Sequence, residues 1–484
     1  MTVEEIRKRY PELASESLRE TIQQFLNDNR VRIAVIDDDP TGIQTVHDCP
    51  VLTTADDTTL ERVLGGPSPL FFVLTNSRSG SESASMEAHR QIMESLQRVS
   101  HARGYHVHVV SRSDSTLRGH FPAEPAFIHS QLNRKENPAP IFFAPAFFEA
   151  GRVTLDDVQL VQQGQQFVPA AQTEYAHDSV FGYESNTLPE YIVEKSGGTV
   201  STEEIVSLSN ELLRPEAKVH LEKWLEKHKR ATYVIVNATG YFELRNFAHA
   251  ALSWAKRRGI QLVFRTSSSF VKAVSGIPDA PLLTGRQVRR GDGPGLIIVG
   301  SHVQATTRQL EHLLGDSGLE GVELDVSRVA EKAEREIERV LEELKAIAAA
   351  GKTPVVYTSR AEIRLQDREE RLRLGHSVSE ALVRIVRELP YAPSYVVSKG
   401  GITSHVILTD GLGIKEGTVL GQILAGVPVV APAATAAPDR TGEHGTKGRS
   451  GGSDAYRQPP LVIFPGNVGG EYGLRELYME LSER

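Results

Sequence analysis

The sequence predicts an α/β protein of two domains, each built on a mostly parallel sheet flanked by helices. The first observation is that short β-rich apolar runs alternate with amphipathic stretches of helical spacing. The second is a break rich in glycine and proline at residues 276–295, after which the alternation restarts. A chain of 484 residues is also too long for one hydrophobic core. We therefore predict domains over residues 1–275 and 294–484, joined by a linker.

The first predicted domain opens with a helix over residues 3–28, where charged and apolar residues interleave with helical spacing. A second amphipathic stretch, residues 83–104, predicts another helix. The predicted strands are the apolar runs at residues 31–37, 70–79, 105–115, 139–147, 231–239 and 260–268. Small and polar residues follow these runs, so the loops after the strands are where a ligand is expected.

The second predicted domain repeats this alternation. A helix over residues 327–351 ends in glycine. The predicted strands lie at residues 295–303, 353–359, 394–401 and 459–467. Residues 431–458 are small, polar and glycine-rich, which predicts a mobile surface loop, with a lid as the less favoured alternative.

Composition limits the partners. The net charge of −8 and the pI near 6.1 give no reason to expect nucleic acid or an anionic membrane. The first residues lack the apolar core of a signal peptide, and no run approaches the roughly 18 apolar residues of a spanning helix. We therefore expect a soluble, cytoplasmic protein. Cys49 is the single cysteine, which excludes an intramolecular disulfide and a cysteine-rich metal site.

The loops after the strands of the first domain carry its candidate chemistry. They hold carboxylates, hydroxyls and guanidiniums, namely Asp37, Asp38, Thr41, Ser77, Arg78, Arg112, Asp114, Ser115, Arg118 and Arg152. Phosphoryl transfer to an alcohol needs a carboxylate that positions the hydroxyl or accepts its proton. A carboxylate substrate needs an arginine fork. The set predicts a site for a hydroxylated acid, with Asp38 or Asp114 as the catalytic carboxylate and Arg112 and Arg118 as candidate carboxylate partners.

Structural alternatives exist for these motifs. The run D-D-D-P-T-G can form only an Asx turn and a helix start. D-S-T-L-R-G can be an N-cap with a structural ion pair. The coincidence of several such loops at one sheet edge favours a site.

The loops after the strands of the second domain are rich in glycine and hydroxyls instead. They are GSHVQAT (300–306), SKGGITSH (398–405) and FPGNVGG (464–470). Glycine lets backbone N–H groups approach phosphate oxygens, and Lys399 could neutralise charge. Neither a P-loop sequence nor a G-x-G-x-x-G fingerprint occurs at the strand ends. Taken alone, K-G-G-I-T-S is better explained as a tight turn with an N-cap.

Metal ligands cannot be assigned from the sequence. The 16 histidines show no H-E-x-x-H spacing, and neither a G-x-S-x-G elbow nor a plausible cysteine nucleophile is present. Mg²⁺ is expected as the partner of ATP, because ATP chemistry normally uses Mg²⁺ held by one or two carboxylates and by phosphate oxygens.

At these residues the chain resembles the four-carbon acid sugar kinases, over residues 30 to 475 and in the order of that family's motifs. The similar segments are IDDDPTG (36–42), SRSDSTLRG (111–119), APAFFEAGRVT (144–154), VGSHVQAT (299–306), KGGITS (399–404), LGQILAGVPV (420–429) and FPGNVG (464–469). Three positions depart from the pattern: Arg112 stands where lysine is common, Phe148 replaces a proline and Val299 replaces a serine. Arginine keeps the charge of lysine but not its geometry, which affects substrate identity more than the reaction.

The resemblance implies a substrate-binding N-terminal domain, a nucleotide-binding C-terminal domain and an active site in the cleft between them. It implies ATP-dependent phosphorylation of a hydroxyl of a tetronic acid, such as threonate, erythronate or an oxo form. By position, the implied ATP contacts are Ser301, Gly400, Gly401, Ile402, Thr403 and Gly466. Two alternatives stay open: an isomerase or aldolase that grips a sugar phosphate, and a non-enzymatic sensor of a sugar acid or nucleotide. Assembly into a homo-oligomer also stays open.

Overall fold

The computed structural model describes every residue except 134–135, 218–219, 302, 317, 361–367, 434–457, 467 and 484. Most of the predicted loop at residues 431–458 lies outside the described residues. The chain divides into two compact units, residues 1–280 and 281–484. Both contain parallel strands with helices packed on them, which confirms the predicted α/β class.

The described residues of the first unit form eleven strands and nine α-helices. Its strands are β1 (Val31–Asp37), β2 (Cys49–Leu52), β3 (Leu70–Leu74), β4 (His106–Arg112), β5 (Ile141–Ala144), β6 (Arg152–Leu155), β7 (Val158–Gln163), β8 (Gln166–Pro169), β9 (Ile205–Leu208), β10 (Tyr233–Val236) and β11 (Val263–Thr266). Its helices are α1 (Val3–Arg9), α2 (Glu16–Asp28), α3 (Asp57–Gly65), α4 (Glu82–Arg103), α5 (Ala123–Leu132), α6 (Leu188–Lys195), α7 (Leu221–Lys227), α8 (Tyr241–Arg258) and α9 (Ser268–Ser275).

The main sheet of this unit has the order β2-β3-β1-β4-β11-β5-β10-β9, and its paired strands run parallel. Helices α2, α8 and α9 cover one face, and α3, α4 and α5 lie on the other. Every residue of β1 is buried, as expected for a strand covered on both faces. Strands β6, β7 and β8 form a separate antiparallel sheet.

The predicted helix over residues 3–28 is two helices, α1 and α2. The break falls at Pro11, which has no N–H to donate and disfavours a helical conformation at the preceding residue. Tyr10 accordingly leaves the helix with φ −127° and ψ 76°. Apolar periodicity alone did not show this break, because the pattern continues on both sides of it. The second predicted helix is confirmed, with α4 ending at Gly104 in a left-handed conformation, φ 67°.

The second unit contains seven strands and six α-helices among its described residues. The strands are β12 (Leu296–Val299), β13 (Leu319–Leu324), β14 (Thr353–Thr358), β15 (Val396–Lys399), β16 (Glu416–Leu424), β17 (Val427–Pro432) and β18 (Leu461–Phe464). The helices are α10 (Gly285–Val288), α11 (Gln304–Leu314), α12 (Val326–Ala349), α13 (Arg368–Arg387), α14 (Gly401–Val406) and α15 (Gly473–Ser482).

The strand order of this unit is β13-β14-β12-β15-β18-β17-β16. Strand β17 runs antiparallel to both neighbours, and the remaining pairs are parallel. Helix α10 lies inside the predicted linker at residues 276–295, where it contacts α15 and buries Val288. That part of the predicted linker therefore belongs to the folded second unit.

The strand order of each unit has a point where successive connections leave in opposite directions. In the first unit β1 lies between β3 and β4, and in the second β12 lies between β14 and β15. Such switch points open a crevice at the carboxyl ends of the strands, where ligands bind. Across the described parts of the chain, no helix is both long and apolar enough to span a bilayer.

Candidate functional site

In the first unit, a buried ion pair joins the ends of β1 and β4. Asp37 and Arg112 are register partners on these parallel strands, and Arg112 Nη1 lies 3.0 Å from Asp37 Oδ1. The other end of the guanidinium donates to Ser268 Oγ at 3.3 Å, at the start of α9. Burial raises the pKa of Asp37 to about 7, although Arg112 lowers it. The pair thus ties the loops after three strands together.

Asp38 is the first residue beyond β1, and only one of its two carboxylate oxygens accepts a hydrogen bond from the described residues. Its Oδ2 accepts a hydrogen bond of 2.6 Å from Ser113 Oγ. Its Oδ1 is buried and has no hydrogen-bond partner among the described residues. Guanidinium nitrogens of Arg112 and Arg78 lie 3.7 and 3.9 Å from that atom. Burial raises the pKa of Asp38 against the opposing effect of both arginines.

Arg78, in the loop after β3, reaches across to three carboxylates. It forms an ion pair with Asp39 and lies 3.9 Å from both Asp38 and Asp114. Burial favours the neutral form of Arg78, but these carboxylates together raise its pKa. Asp39 in turn accepts a hydrogen bond of 2.8 Å from the backbone N–H of Thr41. Arg78 and Thr41 thus join the cluster through Asp39, which also follows β1.

The carboxylate of Asp114, unlike that of Asp38, is bound by side chains of its own loop. Arg118 Nε lies 2.6 Å from its Oδ2, and the Thr116 hydroxyl donates to the same oxygen. Burial raises the pKa of Asp114, but Arg78, Arg118 and Arg152 outweigh burial and hold that pKa well below its usual range. Asp114 is therefore an ionised group that fixes the arginines around it.

Two further arginines of the cluster, Arg152 on β6 and Arg118 in the loop after β4, lie near the ring of Tyr175. Arg152 Nη1 donates to Ser115 Oγ at 2.7 Å. The guanidinium carbons of Arg152 and Arg118 lie 5.6 and 5.0 Å from the centre of the Tyr175 ring, within cation–π range. Ser77 lies farther along the edge and donates to the buried Glu124 at 2.7 Å. The ten predicted residues of this unit therefore lie in, or next to, one network of hydrogen bonds and ion pairs.

Gly42 packs against the ion pair of Asp37 and Arg112. A Cβ on Gly42 would lie 2.0 Å from Asp37 Oδ2 and 2.6 Å from Arg112 Nε, so another residue there would displace the pair. These two atoms have no hydrogen-bond partner among the described residues, and the backbone of Gly42 covers them. Arg112 is consequently less accessible than the sequence analysis supposed.

Sequence reasoning missed the hydroxyls of the last residue of β11 and of the residues directly after it. Thr266, Ser267 and Ser268 are fully buried, and the hydroxyl oxygens of Thr266 and Ser267 lack hydrogen-bond partners within the described ranges. The available signal was the run of hydroxyl residues at the end of the predicted strand at 260–268. Glu124 and Ser113 were also missed. Glu124 lies on a helix, and no pattern after a strand indicates it.

In the second unit, the loops after β12, β15 and β18 come together. A Cβ on Gly300 would lie 2.2 Å from Thr403 Oγ1, and one on Gly400 would lie 3.2 Å from Ser301 Cβ. A Cβ on Gly466 would lie 4.0 Å from Ser301 Oγ. The predicted residues Ser301, Gly400, Thr403 and Gly466 therefore form one cluster.

The remaining two predicted contacts belong to helix α14. Gly401 is its first residue, and Ile402 beside it is 56% exposed, unusual for a large apolar side chain. Gly400, before them, has φ 115°, a conformation that glycine adopts without strain. An exposed isoleucine on this loop is available for contact with a ligand.

The ammonium group of Lys399 binds backbone carbonyls rather than facing a position where an anion could bind. It is fully buried, and its Nζ donates to the backbone carbonyls of Pro465 and Gly466 at 2.7 and 3.3 Å. Its Nζ also lies 4.1 Å from the centre of the Phe464 ring. Burial lowers the pKa of Lys399 to about 7. The lysine thus ties the loop after β15 to the loop after β18.

Arg360, which follows β14, is a further cation beside this cluster that the sequence analysis missed. Its Nη2 donates to the carbonyl oxygen of Ser301 at 2.6 Å. In the same described ranges, its Nε and Nη1 are buried without hydrogen-bond partners. Across these ranges no group of three or more histidine, cysteine or acidic side chains is arranged to hold a metal ion.

Comparison with known proteins agrees with this division of chemistry. Residues 33–274 match the model of a sugar-binding N-terminal domain, and residues 296–474 match that of a nucleotide-binding C-terminal domain. The protein is therefore of the class that joins a sugar-binding to a nucleotide-binding domain. It belongs to the four-carbon acid sugar kinase family, which confirms the resemblance seen in its motifs.

Individual relatives are distant. The chain is 26% identical to a D-threonate kinase of Salmonella typhimurium over 264 residues, which are 54% of this chain and 55% of the relative. The match thus spans about half the length of that kinase. Crystal structures of a Haemophilus influenzae protein and of a Salmonella typhimurium LT2 protein with the provisional name of a tRNA synthase are both 15% identical to the chain. The first covers 93% of this chain and 100% of its own with a TM-score of 0.61, and the second 94% and 99% with 0.64. They show that the fold is shared.

Proposed function

We propose that the protein is an ATP-dependent kinase that phosphorylates a hydroxyl of a four-carbon sugar acid, such as threonate, erythronate or an oxo-tetronate. The observation that carries the proposal is the buried cluster of carboxylates and arginines at the switch point of the first unit. A second supporting observation is the cluster of glycines and hydroxyls at the switch point of the second unit. Membership of the four-carbon acid sugar kinase family supports this assignment.

Asp38 is the proposed carboxylate that orients the attacking hydroxyl. It combines a buried oxygen free of hydrogen bonds with a raised pKa, and a general base works best with a pKa near the operating pH. Asp114 is bound by Arg118 and Thr116 and has a lowered pKa. Its proposed role is to position the arginines. The sequence left these two carboxylates as equal candidates, and their different surroundings favour Asp38.

The proposed partners of the substrate carboxylate are Arg112 and Arg118. Both are charged, and arginine presents a planar fork that matches a carboxylate. The Arg118 side chain is 28% exposed and that of Arg112 is 6% exposed. Arg78, Arg152, Ser77 and Ser115 complete the proposed sugar-acid pocket, together with Asp37 and Thr41.

The proposed ATP site consists of Ser301, Gly400, Gly401, Ile402, Thr403 and Gly466. Convergent glycine loops let backbone N–H groups approach phosphate oxygens, and the hydroxyls add donors. Mg²⁺ would accompany ATP, because it keeps waters and phosphate oxygens as ligands and needs one or two carboxylates at most.

The test is to incubate the protein with Mg-ATP and a panel of tetronates and oxo-tetronates, and to measure ADP. We expect ADP release that depends on one or a few of the acids and that is lost in Asp38→Asn. Binding of an acid without ADP release would favour a sensor. Conversion of a sugar phosphate without ATP would favour an isomerase or aldolase.

A further inference from the structure

The three residues directly beyond β1, β4 and β11 form a row across the carboxyl edge of the sheet. They are Asp38, Ser113 and Ser267, and the register pairs Asp37 with Arg112 and Arg112 with Thr266. All three are at most 3% exposed. Within the described residues, the two outer members, Asp38 and Ser267, each have a buried oxygen without a hydrogen-bond partner.

Ser267 is also the N-cap of α9, yet its side chain forms no capping hydrogen bond. A serine in this position usually accepts a hydrogen bond from the first turn of its helix. Here the hydroxyl and the first backbone N–H groups of α9 lie at the positive end of a helix dipole, which favours an anion. This helix start is next to Arg112, whose Nη2 donates to Ser268.

The first turn of α9 already binds one carboxylate. Ser269 Oγ donates to Glu149 Oε2 at 2.8 Å, and Lys272 lies 3.7 Å from the other oxygen of Glu149. Glu149 is thus compensated by its own cation. Ser267, two residues earlier, has no such partner on the described part of the chain.

We propose that Ser267 and the amino end of α9 bind the carboxylate of the sugar acid, while Asp38 binds the hydroxyl at the other end of its carbon chain. This assignment rests on the proposed kinase function and adds an orientation of the substrate to it. Asp38 and Ser267 are separated by two interstrand spacings, roughly 9–10 Å between backbones. A short carbon chain with polar groups at both ends can bridge a separation of this size. Arg112 supplies the positive charge next to the bound carboxylate.

The test is the variant Ser267→Ala, with the dissociation constant for the best tetronate measured by calorimetry. We expect that constant to rise roughly tenfold or more, because a hydrogen bond to a charged group is lost. We expect ATP binding to be unchanged. The preference for the tetronate over the uncharged tetritol of the same stereochemistry, taken from inhibition constants, should fall by the same factor.

Stability separates this role from a structural one. Ser267→Ala removes a buried hydroxyl that lacks a partner, so the melting temperature should stay the same or rise. The matched control is Ser275→Ala, because Ser275 is equally buried but its hydroxyl donates to the carbonyl of Lys272 at 3.0 Å. The control should lower the melting temperature and leave the affinity for the acid unchanged.

Several results would overturn the assignment. Unchanged acid binding by Ser267→Ala in an otherwise active kinase would mean that the hydroxyl holds an interior water only. Equal weakening of tetronate and tetritol would place a substrate hydroxyl there and not the carboxylate. A lowered melting temperature together with lost binding would make Ser267 structural. A wild-type protein that binds no sugar acid would refute the proposed function itself, and this assignment with it.

Discussion

Asp37 and Arg112 form an ion pair of 3.0 Å between buried side chains that end neighbouring parallel strands. Gly42 closes over the pair, and Ser268 binds the far side of the guanidinium. A buried ion pair is not by itself a strong source of stability, but losing one partner leaves an uncompensated charge. The pair therefore makes three loops of the proposed sugar-acid pocket depend on one another.

We expect Arg112→Met to lower the free energy of unfolding at pH 8 by about 3–5 kcal/mol, because Asp37 is ionised at that pH in the wild type and would be left buried without its partner. Arg112→Lys keeps the charge but not the fork, so its loss should be smaller. Urea denaturation measures both. Arg98→Met is the control, because Arg98 pairs with Asp57 on the surface with 59% of its side chain exposed. An equal loss in the control would contradict the importance of burial.

We expect Asp38→Asn to lower kcat by a large part of the 10²–10⁴-fold that a positioned acid or base typically contributes. Asp114→Asn should instead raise the KM for the acid, because Asp114 holds Arg118 in place. Steady-state kinetics at saturating ATP measure both variants. The control Asp48→Asn changes a carboxylate that is 80% exposed and should have no effect. A larger fall of kcat in Asp114→Asn than in Asp38→Asn would reverse the two roles.

Asp37 should make stability depend on pH. Burial raises its folded-state pKa to about 7, whereas an unfolded chain has a value of about 3.9. The folded protein therefore binds this proton more tightly, and the resulting stabilisation is complete below the unfolded pKa and is lost as the pH rises through about 7. Asp37→Asn removes this effect. We expect the free energy of unfolding of the wild type, relative to Asp37→Asn, to fall between pH 4.5 and 8 in urea titrations. A difference that does not change with pH would contradict the raised pKa.

Gly300→Ala should impair the use of ATP. The added Cβ would lie 2.2 Å from Thr403 Oγ1, so one of the two loops must move. We expect a higher KM for ATP with an unchanged affinity for the sugar acid, the latter measured by calorimetry without nucleotide. Gly293→Ala is the matched control, because a Cβ there meets no atom within 4 Å. Weakened acid binding in Gly300→Ala would show that the effect is not local to the nucleotide loops.

Thr403→Val tests the proposed phosphate contact more gently, because valine keeps the shape of threonine. Loss of a hydrogen bond to a charged group should cost about 1.5–3 kcal/mol in the binding of ATP. The measurement is the dissociation constant for ATP, with the melting temperature as the check on folding. Unchanged binding together with an unchanged kcat would remove Thr403 from the ATP site.

Part of the site was predictable because parallel strands end at a common edge. The sequence showed which residues follow β1, β4, β12 and β15, and the structure brings those residues into two clusters. Two of the residues that were missed have no such signal. Glu124 reaches the cluster from a helix, and Arg360 is a single arginine after a strand without a motif.

The sequence by itself determined the α/β class, the two-part organisation and the family, because these depend on apolar periodicity and on short motifs that are local in the chain. It could not separate the roles of Asp38 and Asp114, which look alike in one dimension. Their difference arises from burial and from neighbours distant in sequence: Ser113 leaves one oxygen of Asp38 free, whereas Arg118 and Arg78 keep Asp114 ionised. Only the tertiary structure shows this difference in surroundings, because a pKa depends on the charges and the solvent that the fold places around each group.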